Sequence, residues 1–226
     1  MKLFKSLKQF LLKYKHGVIL SYFFIYITWF MYLERTITKK FYPVYSKLDD
    51  FIPFNEVFII PYLLWFAYIF ITVAYFLFTS KHEFYKLCAN LFIGMTICLI
   101  IYTIWPNGHY LRVDINSLGR DNIFLTLLSR IYDVDTSTNV FPSIHVFNSV
   151  AAFIAINKNE RLRKLSWVRP AAFILTVLIC MSTVFLKQHS VLDIFGGLAL
   201  NLFMYAMVYI PSWSKSSQAK QELYKV

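Results

Sequence analysis

Apolar residues gather along this chain in long runs free of charge, and six such runs set its organisation. Residues 17–33, 57–79 and 87–105 contain no Asp, Glu, Lys or Arg. Residues 140–157 carry one ionisable group, His145, 171–186 form a shorter apolar run, and 194–211 follow directly on Asp193. A helix needs about 20 mainly apolar residues to cross the hydrocarbon core of a bilayer, with a range of about 17–25. The pattern therefore predicts an all-α, polytopic membrane protein with six transmembrane helices. Residues 1–226 read as a single membrane domain, without an internal repeat or a soluble domain.

The polar stretches between the runs are unequal. Residues 34–56 are polar and end in Ile52-Pro53-Phe54, which turns the chain back toward the bilayer. Residues 106–139 form the longest connection, and loops of that length are usually functional or disordered. The last two runs are joined by a few residues around Lys187, Gln188 and His189. Ahead of the first run, Phe4, Leu7, Leu11 and Tyr14 fall at helical spacing among lysines, so 1–16 reads as an interfacial amphipathic arm. The first run ends in Phe30, Met31, Tyr32 and Leu33, without the small residues of a signal-peptidase site, and reads as a retained helix.

Charge fixes the orientation. The formal net charge is +11, which by itself points to nucleic acid. With six crossings, however, both termini share a side with 80–86 and 158–170, and that side holds fifteen bases against three acids. The opposite side holds eight bases and nine acids. The excess of Lys and Arg places both termini, including the tail at 212–226, in the cytoplasm. Topology accounts for the whole charge, so no nucleic-acid partner is expected. Only 15% of residues are charged while 58% are hydrophobic, which excludes both a disordered chain and an ordinary soluble domain. Cys88, Cys98 and Cys180 fall within apolar runs and form no metal or redox motif.

Ionisable residues at the ends of membrane helices carry most of the functional information. His145 lies in Asn139-Val140-Phe141-Pro142-Ser143-Ile144-His145, where Pro142 suits the first turn of a helix. Ser143, His145 and the free N–H groups of that helix start form an anion site. His189 and Asp193 are four residues apart, share one helix face, and the carboxylate can orient the imidazole. Both histidines fall at the outer ends of their runs and are expected to share one pocket. Either histidine alone also reads as a satisfied polar pair. A metal set of His145, His189 and Asp193 lacks the spacing of known zinc motifs. Asp133 and Asp135 read as a solvated loop pair.

Pro142-Ser143-Ile144-His145, followed by Ser182-x6-His189-x3-Asp193, resembles the type-2 phosphatidic acid phosphatase superfamily, best over about residues 100–210. That resemblance makes 140–210 the catalytic region. It implies His189 as the nucleophile that takes the phosphoryl group, Asp193 as its orienter, and His145 as the general acid. Ser143 is then a ligand of a phosphate oxygen, and neither metal nor cofactor is implied. The chain departs from the family motifs K-x6-R-P, P-S-G-H and S-R-x5-H-x3-D. Ile144 replaces a glycine, Thr183 an arginine, and Arg112 stands nearest the first motif with Trp105 and Val113 at the lysine and proline positions. Lys187 is the candidate replacement cation, or else a lysine snorkelling at the interface. These departures are similar to the branch of inositol phosphorylceramide synthase, which transfers a phosphoryl headgroup to a lipid alcohol.

The resemblance thus implies a lipid phosphate or pyrophosphate phosphatase, metal-independent, in a bacterial plasma membrane with its site facing outward. Its partners are a lipid phosphate substrate and membrane lipids. A lipid phosphotransferase and an inactive lipid-binding protein are the alternatives, and a transporter ranks last. The identity of the lipid and the oligomeric state are left open by the sequence.

Overall fold

A computed structural model of the protein describes residue 9 and residues 12–223, with side chains described as far as residue 210. Phe4, Leu7 and Leu11 of the expected interfacial arm, and residues 224–226, lie outside the described residues. The fold is all-α. A 3-10 turn, Lys15–Ser21, leads into α1 (Tyr22–Thr36), and the short α2 (Leu48–Phe51) follows. Then come α3 (Ile59–Thr79), α4 (Lys81–Ile104), α5 (Ile123–Val134), α6 (Ile144–Lys158), the single turn α7 (Glu160–Arg163), α8 (Val168–Phe185) and α9 (Val191–Leu223).

Among the described residues, five helices are long and apolar enough to cross a membrane: Lys15–Thr36, Glu56–Thr79, Lys81–Ile104, Val168–Phe185 and Val191–Ile210. Their surfaces suit a lipid solvent, since Phe24, Phe70, Ile71, Ile174, Leu202 and Phe203 are all exposed. The remaining run differs from expectation. Residues 140–157 were expected to be one span, but the helix begins only at Ile144 and has 15 residues. That is about 22 Å of helix, short of a bilayer core of about 30 Å. Nine of those residues are buried, and α6 packs against α3, α4, α8 and α9, so it is the central helix of the bundle. Ser149, Ala151, Ala152 and Ala155 keep its surface small, which lets neighbouring backbones come close. Phe147 projects into the gap left by Gly94 of α4. On the other side, Gly197 of α9 meets the Ser143 carbonyl, where a Cβ would sit at 3.0 Å.

The loops at one end of the bundle are knitted together. Tyr42–Pro43 pairs in parallel with Asn107–Gly108, joining the first loop to the long one. The long connection 106–139 is ordered around α5, whose Leu128 packs with Ile59, Tyr62 and Leu186. The buried carboxylate of Glu34 accepts hydrogen bonds from Thr136 N (2.8 Å), Thr136 Oγ1 (2.7 Å) and Asn139 Nδ2 (2.6 Å). At the chain's far end α9 continues to Leu223, so most of the segment expected as a tail is helical.

Candidate active site

The loop before α6 is held by side chains from other elements. Asn107 is fully buried, and its Oδ1 accepts from Val140 N (2.9 Å) and Phe141 N (2.8 Å). Tyr102 donates to the Pro142 carbonyl at 2.6 Å. The peptide between Phe141 and Pro142 is cis, and Pro142 precedes the helix instead of lying in its first turn. Ser143 is the N-cap, and its Oγ accepts from Val146 N at 3.4 Å. Its N–H donates to the Asp193 carbonyl at 3.1 Å, which joins the starts of α6 and α9.

The second strand of the site comes from the end of α8. Lys187 adopts a left-handed conformation, with φ of 54°. Lys187 N donates to Val184 O and Gln188 N to Thr183 O, the paired bonds of a Schellman ending. Glycine normally takes that position, and a lysine there is strained. Its ammonium compensates by donating to the carbonyls of Asp49 (2.8 Å) and Ile52 (2.6 Å). Burial lowers the affinity of this amine for its proton, and the neighbouring Asp49 and Asp50 oppose that shift.

From this turn the chain enters α9, which begins at Val191, so His189 lies ahead of the helix and not on its face as expected, while Asp193 sits in its first turn. His189 Nδ1 lies 3.0 Å from Asp193 Oδ2, and the same oxygen accepts from Ser190 N at 2.9 Å. Asp193 is fully buried, and only 7% of His189 is exposed. The ring of His145 lies 5.7 Å from that of His189, centroid to centroid, and packs between Tyr62 (4.7 Å) and Trp65 (4.5 Å). The two histidines from separate motifs thus meet, with Asp193 behind one of them.

Arg112 reaches this group from the long loop. It donates to the carbonyls of Tyr132 and Asp135 and, at 2.5 Å, to Gln188 Oε1, while its guanidinium lies 4.3 Å from the Tyr132 ring centroid. Burial is the main cause that pulls its pKa down, and Asp135 chiefly opposes it. Lys187 does not join the group, because its ammonium is held by the 49–52 segment. Thr183 is fully buried, and its hydroxyl donates to the Cys180 carbonyl. Arg120 pairs with Glu56 at 2.7 Å, and Arg130 is exposed. Asp133 is exposed as expected, but Asp135 is not a solvated loop residue: its carboxylate accepts from the buried Tyr62 hydroxyl at 2.5 Å. Among the described residues, no three His, Cys, Asp or Glu side chains are grouped as a metal-binding set.

Residues 122–216 match the family model of the PAP2 superfamily, a stretch containing Ser143, His145, His189 and Asp193. This stretch is similar to the PAP2 superfamily. Comparisons with curated proteins and with solved structures give no match. A PAP2 region in a chain with five membrane-length helices supports a phosphatase-type membrane enzyme of lipid phosphates in general. Arg112 lies ten residues ahead of the matched region, and Asp49, which reads in the sequence as one loop charge among several, lies far ahead of it. His109 was also missed: its Nε2 contacts the Gln188 carbonyl at 2.7 Å, and its Nδ1 accepts from Leu111 N at 3.1 Å. Their only sequence signal was polarity in loops, which says nothing of where a loop folds back.

Proposed function

We propose that the protein dephosphorylates a lipid phosphate or pyrophosphate through a phosphohistidine. The observation that supports this best is the His189–Asp193 bond at 3.0 Å with His145 opposite. With the Nδ1 proton held by Asp193, Nε2 of His189 carries the lone pair and attacks phosphorus. The bond from phosphorus to the lipid oxygen breaks, and protonated His145 gives its proton to that oxygen. Water then attacks the phosphohistidine, His145 takes a proton from it, and phosphate leaves. Arg112 offsets the charge of the equatorial oxygens, and Ser143 and the start of α6 provide further donors. Lys187 contributes at this site through the junction it forms with the first loop.

In this reading the six apolar runs, with the short α6 as the central one, cross the membrane. The excess of Lys and Arg supports cytoplasmic termini and histidines at the outer face, and the small size and family branch support a bacterial plasma membrane. The reaction needs neither metal nor cofactor. A second reading is favoured by Thr183, because a site with fewer cations resembles the phosphotransferase branch. In that case a lipid alcohol replaces water in the second step.

The test is phosphate release by the full-length protein in detergent, against lipid phosphates and pyrophosphates in the presence of EDTA. Wild type should release phosphate and His189→Ala should not. Release by His189→Ala at the wild-type rate would falsify the phosphohistidine. Lipid-alcohol-dependent product with little free phosphate identifies the transferase.

A further inference from the structure

Buried N–H groups without an acceptor are rare in native proteins, and each one requires an explanation. Two of them belong to a linked pair of side chains, Arg112 and Gln188, the residue that precedes His189. Gln188 is 2% exposed and its Nε2 has no hydrogen-bond partner, and Nε of Arg112 is likewise buried and unpartnered. The two side chains are linked, because Gln188 Oε1 accepts from Arg112 Nη2 at 2.5 Å. That bond also fixes the amide orientation: a flipped amide would set donor against donor. The Tyr62 hydroxyl donates to Asp135 and keeps lone pairs that can face one N–H of the Gln188 amide, which leaves the amide's second N–H for a ligand.

Gln188 is held at every other polar atom. Its N–H donates to Thr183 O at 2.9 Å, and its carbonyl contacts His109 Nε2 at 2.7 Å. A side chain immobilised to this degree with an N–H to spare is preorganised for an acceptor-rich ligand. Trp65, whose ring packs on His145, adds a third buried donor without a partner, its indole N–H. The unpaired donors thus belong to residues that adjoin the two histidines, Gln188 in the chain before His189 and Trp65 against the His145 ring.

We infer that Gln188 Nε2, beside Nε of Arg112, binds an oxygen of the phosphoryl group transferred at His189. This rests on the reading of the histidine pair given above. The site thereby uses a neutral donor from the residue preceding the nucleophile, while Thr183 contributes no donor to it. A hydrogen bond from a neutral donor to an anion contributes binding without adding charge, so the pocket tolerates a singly charged phosphate as well as a dianion.

The experiment uses full-length protein in detergent, with inorganic phosphate and orthovanadate as probes in calorimetric titration, and lipid phosphate turnover measured in parallel. Gln188→Leu should weaken binding of both anions by about ten- to hundredfold. Gln188→Glu keeps the acceptor for Arg112 but loses the donors, and should weaken binding at least as much. In an Arg112→Lys background, Gln188→Leu should still weaken binding. If it adds nothing there, Gln188 acts only through Arg112 and the inference falls. It falls equally if both Gln188 variants bind like wild type, or if wild type binds neither anion. Binding that follows the expected order without lipid turnover upholds the anion site and removes the enzymatic reading instead.

Discussion

The carboxylate of Asp49 accepts a hydrogen bond from Ser190 Oγ at 2.6 Å, across 141 residues of chain. Its other oxygen accepts from Val191 N at 2.8 Å, so a residue of the first loop caps the last helix. A negative charge there also complements the helix dipole. Ser190 passes the constraint on, since its own N–H donates to the Asp193 oxygen that holds His189. Lys187 closes the junction from the other side through the carbonyls of Asp49 and Ile52.

Asp49 is thus a positioning residue for the histidine pair. Asp49→Ala removes a cap, which costs about 0.5–2 kcal/mol. It also leaves Ser190 Oγ and Val191 N without this acceptor. We expect kcat to fall by at least about tenfold with KM nearly unchanged, because a misplaced nucleophile is felt in the transition state. Asp49→Asn still offers an oxygen and should recover much of the loss. A wild-type kcat in Asp49→Ala would show that the junction is dispensable.

Arg112 and Lys187 should separate cleanly in kinetics. Arg112→Ala takes away the cation bonded to Gln188 and should reduce kcat/KM by about a hundredfold or more. Lys187→Ala removes the tie to the 49–52 segment and should lower the thermal midpoint while leaving KM close to wild type. Steady-state kinetics and thermal unfolding on both variants decide the matter. A large rise in KM for Lys187→Ala would make it a phosphate ligand after all.

The parts of this protein legible in the sequence were those set by local pattern. Uncharged runs located the long helices, because the bilayer length leaves little freedom. The four-residue spacing of His189 and Asp193 anticipated their contact, although His189 makes it from the turn ahead of α9 and not from a shared helix face. Hidden were features that depend on where loops return. Asp49 read as one of two adjacent loop acids, yet Asp49 is buried and Asp50 is exposed. Lys187 read as a cation near the nucleophile, and only the left-handed turn shows its ammonium bound to carbonyls. The late start of α6 was hidden too, because Asn107 and Tyr102 satisfy the 140–142 backbone from far along the chain. An irregular segment persists at such depth only where protein supplies those partners.

His109 makes stability depend on pH. Burial lowers its pKa from 6.5 to about 4, with the nearby His189 and Arg112 adding to the effect. The unfolded chain therefore binds a proton between pH 6.5 and 4 that the folded chain does not. Stability from this group is complete above pH 6.5 and is lost as pH falls toward 4, by about 3 kcal/mol in all. His109→Gln cannot charge, so its thermal midpoint should fall less steeply over that interval than wild type. Equal slopes for the two proteins would assign the acid sensitivity to other groups.

Gly94 offers a test of how α6 is placed. A Cβ on this residue would lie 1.9 Å from the Phe147 ring, so any larger side chain must push α6 away from α4. Phe147 is fully buried and has little room to turn. Overpacking of this kind costs about 1–3 kcal/mol. Because His145 is two residues from Phe147 on the same helix, the displacement reaches the histidine pair. Gly94→Ala should therefore lower both the thermal midpoint and kcat. Phe147→Leu alone should destabilise by leaving a cavity. The two changes together should do less harm than their sum, since the smaller leucine yields the space that the new methyl group needs. A strictly additive double variant would mean that the backbone accommodates the methyl group elsewhere, and that the α4–α6 contact does not set the position of His145.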